Sequence, residues 1–224
     1  MSLRERLWAT MAPTYAAILN HPFLAGLTDG TLDRDRFAYY VTQDAIYLGD
    51  YARALAVVGA KAPEPRQVAI FARHVAGAMD VERALHDTLL AELGLDPSEV
   101  ASAEPAPTTR AYTSYLMATA YGGSFADGVA AVLPCYWVYA EVGRALVEQG
   151  SPDPRYQRWI ETYAGEEFAV VVAEVLAVVD RLAEVTSPAT EERMHAAAAV
   201  ATRYEYAFWD AAWNREDWPL PLRG

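Results

Sequence analysis

Cys135 is the only cysteine in the chain and sits in the run Pro134-Cys135-Tyr136-Trp137-Val138-Tyr139. In a helix, residues four apart share a face, so Tyr139 lies on the thiol's side. A lone cysteine is most simply a small buried hydrophobe. The proline beside it favours a second reading, because it removes a backbone donor, interrupts the helix and can swing the thiol toward a cavity. A thiolate there would be a nucleophile. Two carboxylates raise the same question. Asp44 falls on an apolar stripe between Val41 and Leu48, beside Tyr40 and Tyr47. It either slips to the surface or faces a polar pocket, since an unpartnered buried charge is costly. Glu205 lies inside Tyr204-Glu205-Tyr206-Ala207-Phe208-Trp209. Desolvation there would raise its pKa into the range useful for general acid and base work. Fourteen tyrosines and six tryptophans supply mostly packing, with stacking on a flat heterocycle as a further use.

Other chemistries find little support. The histidines are His21, His74, His86 and His195. Glu82 and His86 have metal-ligand spacing, but the paired Glu-x-x-His motifs of a di-iron bundle are absent, so no metal is expected. There is no Gly-x-Gly-x-x-Gly, P-loop or Gly-x-Ser-x-Gly motif, and no cofactor is expected.

Helices must position these groups, because apolar residues recur at three and four positions nearly everywhere and hairpin signals are missing. The expected helices run over 2–18, 33–60 with Asp33 as N-cap, 65–93 stopped at Gly94, a short one from the Asp96-Pro97-Ser98-Glu99 capping box, 109–121, 125–148 interrupted at Pro134, one opened by Asp153-Pro154, another after Gly165, and a last one from Ser187-Pro188 to about Asn214. The tract 20–30 reads as a break, 103–107 as a loop and 217–224 as an irregular tail. The fold class is all-α, a single domain over residues 1–224.

Length and charge narrow the partners. The 224 residues can bury a sizeable core. A formal net charge of −12 repels a phosphate backbone and argues against nucleic acid. One cysteine forms no intrachain disulfide, so a reducing cytoplasm is the expected compartment. The N-terminal stretch, with Arg4, Glu5 and Arg6, is no secretory signal, and no eighteen-residue apolar run offers a membrane span.

Taken in order, several stretches resemble the TenA family, also called thiaminase II or aminopyrimidine aminohydrolase. They are His21-Pro22-Phe23, Asp29-Gly30-Thr31-Leu32 with Phe37 and Tyr40, Gln43 to Leu48, Glu82 with His86, Pro134 to Tyr139, Trp159-Ile160 with Tyr163, Glu167-Phe168, and Tyr204-Glu205 to Phe208-Trp209. Each is weak alone, but together they span nearly the whole chain. The resemblance implies the heme-oxygenase-like helical fold and, through the cysteine, the branch that keeps the nucleophile. It implies Cys135 as nucleophile, Glu205 as proton donor to the leaving group, and Tyr47 as hydrogen-bond partner of the cysteine. Asp44 and Tyr139 would bind the pyrimidine, with Tyr112 and Tyr163 lining the pocket. Asp44 should then stay ionised to hold a cationic ring while Glu205 titrates higher. The implied activity is hydrolysis of a thiamin-related aminopyrimidine to the hydroxymethylpyrimidine, for salvage of the vitamin's pyrimidine half, by a homotetramer. Two rival readings are a non-catalytic pyrimidine-binding or regulatory protein and a cofactor oxidase of the same broad fold.

Overall fold

The computed structural model describes residues 1–84 and 89–220. Eleven helices occur among them: α1 Leu3–Leu19, α2 Pro22–Asp29, α3 Arg34–Ala60, α4 Pro65–Ala84, α5 Leu90–Leu93, α6 Pro97–Ser102, α7 Pro107–Gly122, α8 Phe125–Leu146, α9 Pro154–Ala164, α10 Glu166–Leu182 and α11 Pro188–Asn214. No strand occurs among the described residues, and none of their helices is long and apolar enough to cross a membrane.

The starts follow short-range rules. Ser2 and Ser124 form capping boxes with Glu5 and Asp127, and Asp33, Asp153 and Ser187 cap with their side chains. Proline follows the cap in α2, α6, α7, α9 and α11, where its missing N–H is no loss.

Three sequence expectations change. The tract 20–30 is not a break, because α2 fills it, with His21 as N-cap, Pro22 at the first position and Gly30 as a left-handed C-cap at φ 75°. Helix α8 runs through Pro134 without interruption. Losing one backbone bond to an interior proline costs about 3 kcal/mol, and burial on nearly every side of α8 outweighs it. Of the helix foreseen over 65–93, α4 and α5 are its described parts, and residues 85–88, with the Glu82 and His86 pairing, lie outside the described residues. At α6 the cap is Asp96 alone, accepting from Ser98 N at 2.8 Å, and not a box closed by Glu99.

Helix α8 is the axis of the molecule. Among its 22 residues, 18 are buried, as expected of a helix apolar all round. It packs against α11, α9, α7, α10 and α3, while α3 also packs against α4 and α7. One close approach matters for the site. A Cβ on Gly143 would come within 2.5 Å of the Tyr163 carbonyl carbon, so glycine lets the end of α9 rest on α8 and brings Tyr163 beside Tyr139. The segment after α11 is tied to the start of α7 and the loop before it: Glu216 Oε2 accepts from Thr108 N at 2.8 Å, and Trp218 Nε1 donates to Pro105 O at 3.0 Å.

Candidate active site

Five helices send side chains to one interior cluster. Helix α3 supplies Tyr40, Asp44, Tyr47 and Tyr51, one stripe at helical spacing. Helix α7 supplies Tyr112, α8 Cys135 and Tyr139, α9 Trp159 and Tyr163, and α11 Glu205, Phe208 and Trp209. The ring contacts link these elements into a continuous wall. Tyr47 lies 5.1 Å from Tyr112, 5.4 Å from Tyr51 and 5.6 Å from Phe208, centroid to centroid. Tyr139 lies 4.8 Å from Tyr163 and 4.9 Å from Trp209, and Tyr40 donates to Tyr139 Oη at 3.3 Å.

Cys135 and Tyr163 retain accessible surface, yet protein surrounds both enough to desolvate them fully. Such side chains are deep in the protein yet not closely packed on every side. The alternative of a fully packed core cysteine therefore does not hold, and neither does a surface position for Asp44, which is 5% exposed.

Among the described residues, neither carboxyl meets a cation. Asp44 makes no side-chain hydrogen bond among the described residues, and burial pushes its pKa up to about 7. Glu205 is 1% exposed. Burial pushes it up to about 8, against the opposing effect of Tyr112, which donates to Oε1 at 2.5 Å. Asp44 adds to that rise by repulsion. The expected order, Glu205 above Asp44, agrees with these values, whereas the expectation that Asp44 is held ionised changes. Both are raised by burial, and among the described residues nothing charged positively bonds Asp44. The Cys135 thiol is also pushed up, first by burial and then by Glu205.

The Tyr47 hydroxyl approaches the sulfur and favours its thiolate, but it is buried with no partner at hydrogen-bonding distance. Tyr51 also approaches the sulfur while donating to Val132 O at 3.0 Å. Two further buried donors, the Trp159 and Trp209 indole N–H groups, have no partner. Unpaired buried donors of this kind are expected where a ligand with acceptor atoms completes the bonding. All seven residues singled out in the sequence, Cys135, Glu205, Tyr47, Asp44, Tyr139, Tyr112 and Tyr163, thus fall in this one cluster. Sequence reasoning did not single out Tyr51, whose signal was available: it lies seven residues after Asp44 and four after Tyr47, on the same stripe. Among the described residues, no group of three or more His, Cys, Asp or Glu side chains converges as a metal site.

Known proteins share both sequence and shape. An aminopyrimidine aminohydrolase of Bacillus subtilis is 36% identical over 218 residues, covering 97% of this chain and 92% of that protein. A thiamine biosynthesis multifunctional protein of Corynebacterium efficiens is 37% identical across 95% of this chain, which matches 28% of that longer protein. The solved structure of a TenA homologue from P. horikoshii superposes with a TM-score of 0.88 at 29% identity, covering 96% of this chain and 99% of that one. A domain of heme oxygenase-like fold from Shewanella denitrificans superposes with a TM-score of 0.74 at 19% identity, covering 94% and 92% of the two chains, a likeness of fold alone. Residues 8–215 match the model of the TENA/THI-4/PQQC family, and the chain belongs to that family.

Proposed function

We propose that this protein is a hydrolase that converts thiamin-related aminopyrimidines, 4-amino-5-aminomethyl-2-methylpyrimidine first among them, to the 5-hydroxymethyl compound. The observation that carries this reading is the meeting of one thiol with two buried carboxyls inside a cluster of aromatic rings. The names of its relatives point the same way.

An amine on a methylene leaves badly by direct displacement, so the ring must take part. In the proposed sequence Cys135 Sγ forms a bond to a ring carbon as its proton leaves to a base reached through the Tyr51 hydroxyl, to return the same way when the C–S bond breaks, while Asp44 passes its proton to a ring nitrogen and holds the resulting cation. A neutral Asp44 in the free protein suits this step, because acid and ring share one proton. The ring amino group then pushes out the exocyclic amine as its C–N bond breaks, and Glu205 protonates the departing nitrogen from its Oε2 side, Oε1 being held by Tyr112. Water adds to the exocyclic methylene and returns a proton to Glu205. Finally the C–S bond breaks, aromaticity returns and the ring nitrogen gives its proton back to Asp44. The atoms balance as aminomethylpyrimidine plus water giving hydroxymethylpyrimidine plus ammonia. Tyr47 contacts the sulfur, and Tyr139, Tyr112 and Tyr163 shape the ring's slot. A homotetramer and a reducing cytoplasm, both implied by the resemblance and the free nucleophilic thiol, complete the reading. The non-catalytic binding protein and the cofactor oxidase remain the rivals to test against.

The purified protein, incubated separately with aminomethylpyrimidine and with thiamin, should form the hydroxymethyl product from at least one of them with many turnovers. Stoichiometric binding without product would instead make it a binding protein.

A further inference from the structure

Behind the nucleophile lies a second set of polar groups that the reaction above does not use. His74 on α4 is 6% exposed. Its Nε2 lies 3.0 Å from Glu174 Oε2 on α10, and its Nδ1 lies 3.1 Å from the Tyr136 hydroxyl on α8. Because a carboxylate only accepts, Nε2 carries the hydrogen and Nδ1 is the acceptor, so the Tyr136 O–H points at His74. Tyr136 follows Cys135 directly in the chain, and its ring lies 5.8 Å from that of Tyr51. Tyr51 in turn approaches the sulfur. Hydrogen bonds thus join Tyr136, His74 and Glu174, whose side chain is 34% exposed, and Tyr51, its hydroxyl turned to Val132 O, stands between Tyr136 and the sulfur. Glu174 stands in the wall of a groove of about 360 Å³ between α4 and α10.

We propose that His74 is the proton acceptor for the Cys135 thiol, acting through Tyr51 and Tyr136, with Glu174 holding the imidazolium. The inference rests on the nucleophile reading given above. The S–H bond breaks and its proton passes to Tyr51 Oη, while the Tyr51 hydroxyl turns from Val132 O and passes its own proton to Tyr136 Oη. Tyr136 passes its proton to His74 Nδ1. The electron pair stays on sulfur as a thiolate and His74 becomes a cation beside Glu174. When the C–S bond breaks at the end of the reaction, the same line reverses. His74 meets Glu174 from α10, Tyr136 from α8 and its neighbour Arg73 on α4. Arg73 opposes the imidazolium but is itself bonded to Glu174 Oε1 at 2.7 Å. Burial opposes the cation as well, and Glu174 favours it. His74 is a positioning residue in this scheme, because it reaches the sulfur only through the two tyrosines.

Cys135 is the chain's only thiol, so its alkylation by iodoacetamide reads the nucleophile without any substrate and independently of turnover. In the full-length protein, His74→Gln keeps hydrogen-bonding groups for both neighbours but accepts no proton at neutral pH. It should alkylate about tenfold more slowly at pH 7, with an unchanged rate of thermal unfolding. His74→Ala should be equally slow and should recover on addition of imidazole through the groove beside Glu174, but not with the weakly basic pyrazole. Glu174→Gln, at a partly exposed position, should move the midpoint of the alkylation pH profile upward. Wild-type reactivity in His74→Gln overturns the proposal. So does slow His74→Ala that imidazole leaves slow, or that pyrazole restores as well as imidazole does, because filling the space would then suffice. An unchanged profile in Glu174→Gln also overturns it. Activity retained by Cys135→Ser would remove the nucleophile reading, and leaves these thiol measurements standing on their own.

Discussion

Cys135→Ser is expected to lower turnover by about a thousandfold or more while leaving the dissociation constant for the pyrimidine within about threefold. The size of the loss follows from the step the residue performs. Adding to an aromatic ring needs a polarizable anion, and a serine hydroxyl in the same desolvated position has a far higher pKa than a thiol. Burial and the neighbouring Glu205 already push the thiol upward, and they would push an alcohol beyond use. The binding surface, by contrast, is made of rings and carboxyls that the substitution does not touch. Turnover and equilibrium binding, measured on one preparation of each protein, check both halves. A variant with near-normal turnover removes the nucleophile, and one that has lost binding places Cys135 in the binding wall instead.

The second large effect concerns stability and pH. Asp44 and Glu205 have folded pKa values of about 7 and about 8, well above the ordinary carboxyl values of about 4. Between those limits the folded protein binds more protons than the unfolded chain, so stability falls as pH rises from about 4 through about 8. Each raised carboxyl therefore withholds on the order of 2–4 kcal/mol at pH 8. His21 and His74, whose pKa values burial lowers, slope the other way below about 6.5. The clean readout is therefore the difference between parent and variant. Asp44→Asn and Glu205→Gln should each be more stable than the parent at pH 8, with the gain vanishing toward pH 4. Both should lose activity. Denaturant unfolding at a series of pH values checks this, and a variant less stable than the parent at pH 8 would mean that the carboxyl is paired and ionised. Stability lost to hold uncompensated groups in place is the usual mark of a site kept for chemistry.

Much of this site could be read from the sequence because its chemistry violates local patterning. A carboxylate at position 44 of an apolar stripe and another at 205 among aromatic residues conflict with burial, and such conflicts collect at functional positions. Asp33, Asp153 and Ser187 gave away their helices because capping is local. Helix α2 was hidden by its own punctuation. His21, Pro22 and Gly30 are the signals of a start and an end, but only eight residues separate them, and two signals so close read as one break. Pro134 misled in the other direction, since burial around α8 sets the cost of a lost backbone bond in context. Contacts across long separations stayed out of reach: Tyr112 with Glu205, 93 residues apart, and His74 with Glu174, 100 apart, are decided by which helices pack together. The raised pKa of Asp44 was missed for the same reason, as it depends on what does not face it.

The central claim is that water replaces an amine on the substrate's methylene after the ring has been activated by Cys135. Incubating the purified protein with 4-amino-5-aminomethyl-2-methylpyrimidine in water labelled with oxygen-18 tests it most directly. The account predicts hydroxymethylpyrimidine that carries the label in its hydroxyl group, one ammonia released for each molecule formed, and about a thousandfold less of both products from Cys135→Ser. Unaltered substrate after many equivalents of time at saturating concentration, or ammonia released from the ring amino group with the aminomethyl arm intact, would contradict it.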